Sequence, residues 1–127
     1  MINNITAAQL IEKLHNEGGF SINVNTGATP GAGYMVSIPG AEAVRRLSDI
    51  TELTIKRYVE KYAQQLATPG AYLGAWVDGW EVYLDISVNV DSLEDALNLA
   101  RDNKQLAIYD LEAGDSIYLE RLESITR

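Results

Sequence analysis

The chain has 127 residues, 46% hydrophobic and 22% charged, with no cysteine and a net charge of −8. That length corresponds to one domain, residues 1–127, able to bury its own core, and the charged fraction is too low for a disordered acidic segment. The lack of cysteine excludes disulfides, thiol nucleophiles and zinc–thiolate centres together.

In chain order, Thr6-Ala7-Ala8-Gln9 fits a capping box, with Ile5 and Leu10 spaced as a hydrophobic staple. Leu10, Ile11 and Leu14 give this first helix an apolar stripe, and Gly18-Gly19 ends it. Alternation of Phe20, Ile22 and Val24 with Ser21 and Asn23 predicts a strand over 20–24. A glycine-rich loop over 25–33 leads to a second strand, 34–38, and Pro39-Gly40 opens a connector reaching Leu47. The second helix runs from Asp49 or Thr51 to Ala67. Its apolar face carries Ile55, Tyr58, Val59, Tyr62, Ala63 and Leu66, and Thr68-Pro69-Gly70 stops it. Strands over 72–77 and 80–88 follow, joined by Asp78-Gly79.

Asp91-Ser92-Leu93-Glu94 approximates a capping box for a third helix. Leu93, Ala96, Leu97 and Ala100 mark its buried face, and Asn103 its end. A last hairpin joins 105–111 to 116–119 around Ala113-Gly114. The order αββαββαββ predicts an α+β fold, a mainly antiparallel sheet with three helices on one face. The three units share no residue pattern, so no solenoid is expected.

Charge is uneven along the chain. Residues 1–77 hold six acidic and six basic side chains, whereas 78–127 hold twelve and four, which accounts for the whole −8. Such a surface opposes phosphate backbones, so direct nucleic-acid binding is not expected. It suits a basic protein partner, mimicry of a phosphate backbone, or simple solubility. No run approaches the roughly 18 apolar residues of a membrane span. The N-terminal MINNITAAQL has no early positive charge and no apolar core, so a signal peptide is not expected and the cytoplasm is the expected location.

Gly27-Ala28-Thr29-Pro30-Gly31-Ala32-Gly33 resembles a phosphate cradle only superficially. No Lys-Ser or Lys-Thr pair leads into a helix, and the third glycine of a dinucleotide fingerprint would fall on Val36. A flexible hairpin loop is the expectation. His15, the single histidine, lacks partners for metal binding or for activating a nucleophile, and suits the last turn of the first helix. Asp78, Glu81 and Asp85 on the central hairpin, and Asp110, Glu112 and Asp115 near the last turn, could pair for hydrolysis or hold magnesium. Turn chemistry accounts for Asp78 and Asp115 without a ligand.

The central hairpin is more specific. With Asp78-Gly79 as a two-residue turn, Val77 faces Trp80, Ala75 faces Val82 and Leu73 faces Leu84 on the core side. The outer side then carries Trp76 across from Glu81, Gly74 across from Tyr83, and Tyr72 across from Asp85. An aromatic patch fringed by carboxylates suits a protein interface, because Trp and Tyr are enriched in binding hot spots. A helix or a second subunit covering this side is the alternative.

GGFSINVNTG, ATPGAGYMVSIPG, LATPGAYLGAWVDGWEVYLDISV and EDALNLARDNKQLAIYDLEAG together resemble a family of small uncharacterised proteins of actinobacteria, their phages and integrated mobile elements. The resemblance covers about residues 18–114 and is most specific in Leu-Gly-Ala-Trp, Tyr-Leu-Asp-Ile-Ser and Asn-Lys-Gln-Leu-Ala-Ile. It implies an accessory protein of a phage or prophage working inside a bacterial cell, and it carries over no catalytic residue or cofactor. The leading expectation is a non-enzymatic module that binds a host or phage protein through the outer hairpin face. Trp76 and Tyr83 would anchor it, with Tyr72, Glu81 and Asp85 at the rim. The alternatives are an acidic nucleic-acid mimic acting as a decoy for a host or defence protein, and a small carboxylate-based enzyme, with or without magnesium. Homo-oligomerisation is left open.

Overall fold

A computed structural model describes residues 6–120. In chain order these form α1 (Ala7–Glu17), β1 (Gly19–Ile22), β2 (Tyr34–Ser37), β3 (Ala43–Arg46), a 3-10 turn (Leu47–Asp49), α2 (Glu52–Lys61) and α3 (Ala63–Leu66). Then follow β4 (Ala71–Asp78), β5 (Glu81–Val90), α4 (Leu93–Asp102), β6 (Ala107–Asp110) and β7 (Asp115–Tyr118). The fold is α+β with one antiparallel seven-stranded sheet.

Local signals place the helix ends. Thr6 Oγ1 accepts from Gln9 N at 3.1 Å, and Gln9 Oε1 accepts from Thr6 N at 2.9 Å, completing the capping box. Ile5, the other half of the expected staple, lies outside the described residues. Gly18 closes α1 in the left-handed conformation, φ 81°. The second helix is broken at Tyr62, which leaves the helical region at φ −109°, ψ 28°. There the Tyr62 ring lies 4.8 Å from that of Tyr58, and both hydroxyls donate into the connector before β3, at Gly40 and Ala41 carbonyls. For α4 the cap is Ser92, not Asp91: Ser92 Oγ accepts from Asp95 N at 3.0 Å.

The sheet order is β1-β4-β5-β2-β6-β7, and β3 pairs with β5. Two expectations are corrected here. The 39–47 connector contains a strand, β3, whose Ala-Val-Arg-Arg sequence has no apolar alternation and is held by pairing Ala43 with Leu84 and Arg46 with Glu81. The glycine-rich segment does not close a hairpin either, because β1 pairs with β4 while β2 pairs with β5 and β6. It is a crossover, started by a turn in which Asn23 Oδ1 accepts from Asn25 N and Thr26 N. Burial selects the distant partner, since the β1–β4 register sets Ile22 against Leu73 and both are fully buried. Strand β5 changes neighbour midway: 81–84 pair with β3 and 87–90 with β2, which leaves residue 85 at the seam.

Leu10, Leu14, Ile55 and Leu66 of α1, α2 and α3 pack on Ile22, Leu73, Leu84 and Ile86 in the larger core. Ala96 and Ala100 of α4 pack on Val36 and Ile108 in the smaller one. Each fully buried residue of Leu or Ile size contributes roughly 1.5–3 kcal/mol of transfer free energy. Val36 and Val88 are cross-strand partners, so both cores lie on one side of the sheet. The helices spend their apolar faces there, and the opposite face carries no helix among the described residues. No described helix is long and apolar enough to cross a membrane.

Candidate functional site

The hairpin register decides what the helix-free face displays. Asp78 pairs with Glu81, so the turn is Gly79-Trp80. Gly79 occupies the first central position with φ 61°, the site at which a II′ turn requires a positive φ. Trp80 therefore sits in the turn, 87% exposed, and not in the core as expected. Relative to the expected pairing, the partners slide by two residues, which changes the neighbours but not the faces. Trp76 now faces Tyr83, Gly74 faces Asp85, and Tyr72 faces Ser87.

All five expected contact residues thus share the helix-free side, in different company. Trp76 and Tyr83 stack with ring centroids 5.4 Å apart and planes 9° from parallel, and Trp76 is 46% exposed. Val44 of β3 flanks Tyr83 across the strands and is also exposed, extending the apolar row over β3, β5 and β4. At the hairpin end, Arg46, Glu81 and Asp78 form a charged row. Tyr72 is half-buried and Glu81 exposed.

Asp85 is not at the rim: it is 7% exposed and lines a cavity of about 620 Å³. Gly19 and Ser21 of β1, together with Tyr109 and Ser116 at the far end of the sheet, line the same cavity, so the sheet curls around its helix-free face. Trp76 and Met35 also border it. Asp85 Oδ2 accepts from Ser37 Oγ at 2.7 Å and from Ser87 Oγ at 3.3 Å. Its Oδ1 lies over Gly74 and has no hydrogen-bond partner among the described residues. Burial holds the carboxyl above its ordinary value, the two serine hydroxyls act in the opposite direction, and the nearby Glu42 charge adds to the rise.

The serines, Met35, Tyr109 and Val44 were missed in the sequence reading. Ser87 was legible in principle, because residues 85 and 87 of one strand point to the same face. Ser37 and Val44 arrive from strands paired only in the tertiary structure.

The remaining polar groups are accounted for locally. Asp110 Oδ1 accepts from Glu112 N and Ala113 N in the last turn, and Asp115 Oδ1 accepts from Ser116 N. No second acid lines the Asp85 cavity among the described residues, and no group of three or more His, Asp or Glu there is placed for a metal ion. His15 lies exposed in the last turn of α1. Tyr58 is buried on the helix side, its hydroxyl donating to the Ala41 carbonyl at 2.5 Å; burial pushes this phenol well above its usual range. A cavity of about 730 Å³ between β3 and α2 mixes Glu42, Asp49, Arg45, Arg57 and Lys61. No protein-family model, curated protein or solved structure gives a significant match to the chain.

Proposed function

We propose that the protein is a non-enzymatic binding module whose helix-free sheet face docks a host or phage protein. The observation carrying this reading is the Trp76–Tyr83 stack, which leaves Trp76 nearly half exposed on a face without a helix. A large aromatic surface in water is poorly used unless a partner covers it, and stacked rings present it at small entropic cost. Val44 extends the apolar contact, while Arg46, Glu81 and Asp78 supply a polar edge of the kind that rims an interface. On the resemblance of its sequence blocks, the setting is a phage or prophage accessory role in a bacterial cell.

The test is affinity capture from host lysate by the wild type and by Trp76→Ala and Tyr83→Ala variants of unchanged circular dichroism. Loss of a specific, saturable partner in both variants supports the reading. A partner retained by two folded variants removes it.

A further inference from the structure

The cavity beside the aromatic pair holds one charged side chain, Asp85, and no Lys, Arg or His lines it among the described residues. A carboxylate drawn from water without a counter-charge is costly, and two serine hydroxyls satisfy only Oδ2. Oδ1 fills the room that glycine at position 74 leaves, makes no hydrogen bond to the described residues, and is not sealed from the cavity, where a donor can meet it. The surrounding groups suit a cation on an aliphatic stem. Trp76 and Tyr109 offer aromatic rings, whose faces attract ammonium and guanidinium groups, and Met35 offers apolar surface for methylenes.

We propose that this cavity receives a lysine or arginine side chain presented by the protein partner, its cationic head on Asp85 Oδ1. The inference rests on the protein-binding reading above and adds the chemistry of the partner's contact residue. A polypeptide source fits better than a free amine, because Tyr83 and Val44 lie outside the cavity lining and only a larger ligand reaches them. The chain's net charge of −8 also draws a basic partner.

Affinity for the cation rises with pH as Asp85 ionises. The groups bearing on that titration are Ser37 of β2, Ser87 of β5, Glu42 ahead of β3, and Tyr58 of α2, which is electrostatically coupled to Asp85.

The experiment titrates the ¹⁵N-labelled full chain with the blocked tripeptides Ala-Lys-Ala and Ala-Arg-Ala, with the neutral citrulline analogue of the latter, and with n-butylamine. Supporting results are shifts centred on the Gly74, Asp85 and Ser87 amides for the basic peptides, with affinity at least about tenfold lower for citrulline and for Asp85→Asn, a difference of about 1.4 kcal/mol. Equal binding of the citrulline peptide, or no shift at millimolar basic peptide, overturns the proposal. Butylamine binding as tightly as the peptides overturns the polypeptide source. Should Asp85→Asn fail to fold, the wild-type pH series decides, and affinity that does not rise with pH overturns the proposal. If the captured partner is lost in Trp76→Ala but kept by folded Asp85→Asn, the cation proposal fails while the protein-binding reading stands.

Discussion

Asp85 lies directly across the strands from Gly74, and its carboxylate occupies the space that a β-carbon at position 74 would need. The glycine is there for room: its backbone is outside the left-handed region, unlike that of Gly79. Sequence, packing and site meet in this pair, because the missing side chain lets a buried acid lie flat on the sheet.

Gly74→Ala is expected to cost about 1–3 kcal/mol by overpacking. In an Asp85→Ala background the same substitution costs less than about 1 kcal/mol, since the obstructing oxygen is gone. Denaturant melts of the four proteins check this, and an equal cost in both backgrounds refutes it.

The raised carboxyl of Asp85 gives a stability signature of definite sign. Its folded-state pKa lies above the ordinary value of 3.8, so its contribution is fully present below that pH and is lost as pH rises through the folded value. The stability difference, Asp85→Asn minus wild type, therefore grows with pH from below 3.8 towards neutrality. The slope cannot exceed about 1.4 kcal/mol per pH unit for one proton. A flat or falling difference in urea melts contradicts the burial account.

Trp76 and Tyr83 stack with parallel rings, which predicts a coupling energy of about 0.5–1.5 kcal/mol in a double-mutant cycle to alanine. Denaturation of the two single variants and the double variant measures it. Strict additivity would mean that the rings do not support each other in solution.

The turn register makes opposite demands on adjacent residues. Gly79→Ala is expected to cost about 1–2 kcal/mol, because φ 61° is strained for a residue with a β-carbon. Trp80→Ala should stay within about 0.5 kcal/mol of wild type, as for an exposed surface site. Had Trp80 been in the core, its truncation would cost about 3–5 kcal/mol. Thermal or denaturant melts separate the two registers.

Tyr58→Phe removes the donor to the Ala41 carbonyl, which lies in a buried part of the connector before β3. The expected loss is about 1–3 kcal/mol, from leaving a buried acceptor unpaired. Retention of full stability would show that water replaces the hydroxyl.

Helix ends at Thr6 and Gly18, the buried stripe Ile55–Tyr58–Val59, and the strand faces of β4 and β5 were legible in the sequence, whereas the second helix could start at Asp49 or Thr51 and the structure selects Thr51. Each depends on contacts within four residues or on the two-residue period of a strand. That period is why Trp76, Tyr83, Tyr72, Glu81 and Asp85 were assigned to the correct face while their partners were not. A slide of two residues preserves faces and replaces every neighbour. Strand β3 was illegible because Ala43–Arg46 carries no pattern of its own and is defined by the edge of β5.

The sequence by itself determined an α+β chain with one aromatic, carboxylate-bearing strand face, because side-chain periodicity and turn chemistry are local. Tertiary structure alone decided that β1 pairs with β4, that Ser37 comes to Asp85, and that the curled sheet makes a cavity over that acid. The β1–β4 pairing joins residues as much as 57 positions apart, Gly19 with Trp76, and the Ser37–Asp85 bond joins residues 48 apart. They are selected by burial of apolar faces from distant segments, a cost-and-gain balance that no window of the sequence contains.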